Sequence, residues 1–106
     1  MSTMYQRLYE NITKSYYKQI LKDTIVIVDD LLVTEPDVLT QNIHDQLLDI
    51  QKNVVENAMY TEWEQINERY TLGAIAIKNY DEDEEMYQRL CDIYGGAIMY
   101  SELPNE

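Results

Sequence analysis

Ile43, Leu47, Ile50 and Val54 recur at the spacing of one helix face, and no other stretch constrains the fold as strongly. Projected at 100° per residue, the last three lie within about 40° of Ile43. Asp45, Asp49, Lys52 and Glu56 form a polar stripe on the opposite side. Leu48, Val55 and Met59 draw a second apolar line, so this helix must bury two sides, inside the domain or against a second chain. Thr34-Glu35-Pro36-Asp37 supplies its start: Thr at the cap, Pro in the first turn and an acid at the third position. The pattern predicts a helix over 35–57. It extends to 70 beyond a break near Thr61, where Thr61 and Glu64 have capping-box spacing.

Residues 3–22 read as a second amphipathic helix. Met4, Tyr5, Ile12 and Tyr16 project within about 80° of Leu8, and Arg7, Lys14 and Lys18 fall on the other side. Thr3 and Gln6 have capping-box spacing. The β-branched run Thr24-Ile25-Val26-Ile27-Val28 predicts a buried strand near 24–28, ended by Asp29 and Asp30. Leu72 to Ile77 predicts a strand near 72–78. A helix over 82–94 follows, with Met86, Leu90 and Ile93 inward. Gly95-Gly96 ends it, because glycine accepts the left-handed C-cap conformation, and 97–101 reads as a last strand. The expected fold is α+β, three helices with a small sheet. The alternative is a mostly helical chain, if 24–33 is helix. No repeat or Pro- or Ser-rich linker divides the 106 residues, so a single domain over 1–106 is expected.

Charge sets the functional reading. The formal net charge is −12, and it is unevenly placed. Residues 1–22 carry Arg7, Lys14, Lys18 and Lys22 against Glu10 alone, whereas 23–51 hold acids and no base. Asp81, Glu82, Asp83, Glu84 and Glu85 are consecutive. A chain of this length is about 30 to 35 Å across, and a duplex that long carries around 20 phosphates. The protein has over half the charge of the nucleic acid it would displace. Direct binding of nucleic acid is opposed by the same charge. The basic face of the first helix is better used to neutralise the protein's own acids, within the fold or across a dimer.

Fragments of enzyme motifs occur, but none is complete. The strand-like TIVIVDD resembles an apolar strand ending in acids, as in Walker B elements and receiver domains. No G-x-x-x-x-G-K-[ST] accompanies it, nor the later strands and lysine of a receiver. Pro36-Asp37 lacks the (Asp/Glu)-x-Lys of a nuclease motif. Asp81, Asp83, Glu85 and Asp92 imitate a calcium loop, but Met86 stands where that loop needs glycine, and Arg89 where it needs a ligand. His44 is the single histidine and Cys91 the single cysteine. Neither has a partner for a metal site or a nucleophilic pair. Cys91 reads as a packing residue and His44 as a helix-flank residue. Trp63, with Tyr60 and Tyr70, is assigned to core or dimer contact. The chain carries no apolar run of membrane-spanning length and no signal-peptide core. The expectation is a cytoplasmic protein, without enzymatic activity, cofactor or metal.

Such a protein is most simply a protein-binding protein whose partner has a basic surface. The expected partner is a nucleic-acid-handling protein such as a nuclease. Asp29, Asp30, Asp45, Asp49, Glu56 and the 81–85 run would stand in for phosphates. In size, acidity and its mixture of Tyr, Asp and Glu, with a local echo at Ile43-His44-Asp45, the chain resembles small phage inhibitors of host defence. Ocr-type antirestriction DNA mimics and anti-CRISPR proteins are of this class. The resemblance implies a non-enzymatic inhibitor of a restriction or CRISPR nuclease, or of another host nucleic-acid enzyme, often dimeric; it assigns no residue. The alternative is an assembly module. In that case Leu48, Val55, Met59 and Trp63 form an oligomer interface, and the acids serve solubility alone.

Overall fold

In the computed structural model, which describes residues 5–105, every regular element is helical and no strand forms among the described residues. The expected α+β fold is therefore corrected to an all-α one. Helix α1 spans Lys14–Thr34, and the Oγ1 of its cap, Thr13, accepts from the Tyr16 N–H at 3.0 Å. Tyr17, Ile20, Leu21, Thr24, Ile25 and Val28 are buried along it, a 3.6-residue stripe that runs straight through the supposed strand at 24–28. A β-branched residue loses only a few tenths of a kcal/mol of helix propensity, up to about 0.7. A stripe this long outweighs that, and Val26 is left on the outer face, 53% exposed.

The helix expected over 3–22 is two pieces. A 3-10 turn at Leu8–Glu10 precedes α1, and Leu8 is buried. Thr3 of the expected capping box, and Met4, lie outside the described residues. Helix α2 spans Val38–Ile50. Its cap is Asp37, whose carboxylate accepts from the Thr40 N–H at 2.8 Å, and Thr34 closes α1 instead. Pro36 explains the shift: it bars Glu35 from helical geometry, and Glu35 sits at φ −133°, ψ 68°. The expected inward face holds: Ile43, Leu47 and Ile50 of α2 and Val54 just beyond it are all buried.

Beyond Ile50 the helix widens into a π turn, Gln51–Glu56, and stops. Helix α3, Trp63–Arg69, is a separate start near the expected break. Its capping partner is Gln65 rather than Glu64: Gln65 Oε1 accepts from the Thr61 and Glu62 N–H groups at 3.2 and 3.1 Å. Helix α4, Leu72–Asn79, replaces the second supposed strand. Leu72, Ile75 and Ala76 point inward at helical spacing and Ile77 outward, 69% exposed.

Helix α5, Glu85–Met99, absorbs the third supposed strand and runs through both glycines before a 3-10 turn at Tyr100–Glu102. Gly96 does not cap the helix; it makes room. A Cβ there would sit 2.4 Å from the Tyr17 ring, whereas one on Gly95 meets nothing within 4 Å. Tyr17 is fully buried, and its hydroxyl donates to the Ile93 carbonyl at 2.6 Å. Helix α5 packs against α1, α3 and α4, and α1 packs against α2.

The N-terminal segment is fastened to α5 by Asp92, 7% exposed. Its carboxylate accepts from the Tyr5 hydroxyl at 2.5 Å, the Leu8 N–H at 3.0 Å, and Arg7 Nε and Nη2 at 2.9 Å. Burial, then the bond to Asp92, pushes the Tyr5 phenol well above its ordinary value. Arg89 adds a second tie, donating to Thr24 Oγ1 at 3.0 Å while its guanidinium lies 4.5 Å from the Tyr5 ring centre.

Candidate acidic interaction surface

The 81–85 run forms the turn into α5. The Asp81 N–H donates to Glu84 Oε1 at 3.0 Å, and the Glu84 N–H returns to the Asp81 carbonyl at 2.9 Å. Glu85 lies in the first helical turn and accepts from Arg89 Nε at 2.7 Å. Acids here also meet the positive end of the helix dipole, worth about 0.3–1 kcal/mol each. Glu84 and Glu85 thus have structural employment. Asp81, Glu82 and Asp83 are exposed, and their carboxylates make no ion pair among the described residues.

A second acidic segment meets this turn. Tyr80, at the end of α4, is half-buried, and its phenol is pushed up first by burial, then by the fields of Glu35, Glu84 and Asp37. Acids of the α1–α2 turn and of the turn into α5 therefore act on one phenol. Asp30 and Asp29 continue the acid along α1, one to two turns before its end at Thr34. Glu35, Asp30 and the last carbonyls of α1 share one helix terminus, where anions are disfavoured by the macrodipole. Lys14, in the first turn of α1, is at the disfavoured end for a cation. Helix stability would place these charges the other way round.

The structure divides the other candidate residues. Asp29 is bonded to His44 Nε2 at 2.5 Å, a tie between α1 and α2. Asp45 is exposed and accepts from Gln41 at 2.9 Å. Asp49 is occupied: it accepts from Arg69 at 2.6 and 2.8 Å, from the Tyr70 hydroxyl at 2.5 Å and from Asn53 at 2.9 Å. Glu56 is exposed at the far end of the π turn. The acidic surface is thus centred on the 81–85 turn; Asp29 is taken up by His44, Asp49 by Arg69 and Tyr70, and Asp45 lines one surface depression with Asp37. Glu35 and Asp37 act on the same phenol as Glu84; their signal in the sequence was the cluster Thr34-Glu35-Pro36-Asp37, read there as a cap alone.

The supposed calcium set is also divided, because Asp92 is committed to the N-terminal segment. Among the described residues no group of three His, Cys, Asp or Glu side chains is placed to hold a metal ion. Burial pushes the half-buried Cys91 thiol above its ordinary value, which suits packing rather than nucleophilic attack. Of the expected basic face, Arg7 does neutralise an acid of the fold, Asp92. Lys14 instead lies over the Tyr100 ring, 5.4 Å from its centre. No helix among the described residues is long and apolar enough to cross a membrane.

Asp49 yields a pH prediction. Arg69 holds its carboxyl below the ordinary aspartate value of 3.8, against the effect of burial and with help from Tyr70. A depressed folded value contributes stability that is complete above 3.8 and lost as pH falls through the folded value. Thermal unfolding followed between about pH 4 and 2 should show a shallower decline for Asp49→Asn than for the parent. Parallel declines would remove the pair from the acid limb.

No family model matches the chain, and neither a curated protein nor a solved structure is found to match it.

Proposed function

We propose that the protein is a non-enzymatic, cytoplasmic inhibitor. Its acidic end occupies the basic nucleic-acid-binding surface of another protein, such as a restriction or CRISPR nuclease of a host defence system. The observation that carries this reading is the exposed acidic turn at 81–83, beside a Tyr80 phenol that also feels Glu35, Asp37 and Glu84. Asp81, Glu82 and Asp83 stand there without a cation partner among the described residues. The longest dimension, 35 Å, matches a duplex segment carrying about 20 phosphates. The charge placement on α1 supports the same reading, because it opposes the helix dipole and so is not explained by stability.

The test is a triple reversal, Asp81→Lys, Glu82→Lys and Asp83→Lys. It spares Glu84 and Glu85, whose bonds hold the turn. The thermal midpoint should stay close to that of the parent, since exposed substitutions change stability by about 0.5 kcal/mol or less. Capture of a nucleic-acid enzyme from host lysate at low salt, competed by DNA or RNA, should be lost. Retained, salt-insensitive capture would refute the reading.

A second reading, assembly through apolar contact, draws support from exposed side chains. Met59 and Trp63 are 57% and 58% exposed, and Leu48 is 40% exposed. Val55 does not join them. The π turn changes the phase of the helix, and Val55 is half-buried against the core beside Leu21.

A further inference from the structure

The exposed Met59 and Trp63 stand on a segment that the fold holds in place. The Asn57 and Met59 N–H groups donate to the carbonyls of Lys52 and Asn53 at 3.0 and 2.7 Å. The half-buried Tyr60 ring lies 4.7 Å from the Arg69 guanidinium. Gln65 fixes Thr61 and Glu62 by the two bonds given above. Ala58 sits at φ 49°, the left-handed region, which an L-residue enters at a cost of about 1–2 kcal/mol. Strained backbone and π turns both concentrate at functional sites. Here they adjoin the chain's single tryptophan, displayed rather than buried. A rigid, exposed aromatic loses little entropy on docking and is a frequent binding anchor.

The surrounding charge selects the occupant. Glu62, Glu64 and Glu68 are exposed, and their carboxylates make no ion pair among the described residues. Glu56 instead shares a surface depression with Lys18 and Lys22. No base lies between residues 53 and 68, and Arg69 is committed to Asp49. A two-fold contact of this segment with its own copy would set these three carboxylates against the same three. A partner whose apolar pocket is rimmed by Lys or Arg complements them. We propose that the 59–68 segment is a docking element, with Met59 and Trp63 entering an apolar pocket of a partner protein and the three glutamates meeting its basic rim. This contact is independent of the acidic end formed by residues 81–83.

The test uses the full chain and two synthetic peptides of ~20 residues, longer than the roughly 12–15 below which an isolated helix is marginal. One carries Lys and Leu at helical spacing; the other has every Leu replaced by Ser. Trp63 emission is the readout, with calorimetry for variants lacking it. The Lys/Leu peptide should shift the emission to the blue and bind at least about tenfold more tightly than the Lys/Ser peptide, as expected for a buried anchor. Met59→Ser and Trp63→Ala should each weaken it by about tenfold. The triple reversal at 81–83 should leave it within about threefold, being remote from the anchor. Equal binding of the two peptides, or binding unaltered by Met59→Ser, would overturn the proposal. Self-association in sedimentation that is abolished by Trp63→Ala would assign the segment to a second copy and overturn it as well.

Discussion

Asp92→Ala is expected to lower the unfolding free energy by about 3 kcal/mol, the low end of the range for breaking a buried ion pair. Four donors converge on this carboxylate: the Tyr5 hydroxyl, the Leu8 N–H and two nitrogens of Arg7. Without it, the Leu8 amide loses its acceptor in a buried setting and Arg7 is left unpaired. The low end applies because the Arg7 side chain keeps 27% exposure and can turn to water. In a domain of about 100 residues, 1 kcal/mol corresponds to roughly 4–8 °C of thermal midpoint, so the loss should exceed 10 °C. Urea unfolding of the single variants and of Arg7→Leu/Asp92→Ala closes the cycle. The double variant should be less destabilised than the sum of the singles. Additive effects would show that the pair contributes nothing beyond packing.

The neighbouring glycines of α5 should respond with opposite signs. Gly95→Ala gains helix propensity with nothing in the way and should stabilise by about 0.5–1 kcal/mol. Gly96→Ala gains the same propensity but drives its Cβ to 2.4 and 2.5 Å from two Tyr17 ring carbons. The ring cannot swing aside, because it is fully buried and its hydroxyl is held by the Ile93 carbonyl. Overpacking of this kind costs about 1–3 kcal/mol. Urea midpoints of the two variants decide it. A Gly96→Ala protein as stable as Gly95→Ala would mean that α1 and α5 separate readily.

That contact also explains where the sequence was misread. A glycine pair after an apolar helix has the look of a terminus, and only the ring of Tyr17, 79 positions away in the chain, reveals that the helix continues. The α2 face needed no such information. Ile43, Leu47, Ile50 and Val54 carry a complete local period, and all four are buried. The period of α1 was equally complete, from Tyr17 to Val28, but dividing the chain at Asp23 hid it and left five β-branched residues looking like a strand. Leu72–Ile77 was too short for period to decide, since an apolar hexamer suits a buried strand or two turns of helix. For the candidate surface, the 81–85 run was plain in the sequence. That Glu35 and Asp37 act on the same phenol as Glu84 is a tertiary fact. The loss of Asp49 depends in the same way on Arg69 and Tyr70.

The clasp at Asp92 also bears on how the chain is made. Tyr5, Arg7 and Leu8 leave the ribosome early, and the carboxylate that satisfies them is synthesised more than eighty residues later. The α1–α2 hairpin is local and can form while synthesis continues, but its N-terminal flank has no anchor until α5 emerges. Closing so long a loop is entropically slow. The last of the described helices is therefore the step that fastens this segment, and a ribosome stalled before residue 92 would hold a nascent chain in which Tyr5, Arg7 and Leu8 are still open to proteases.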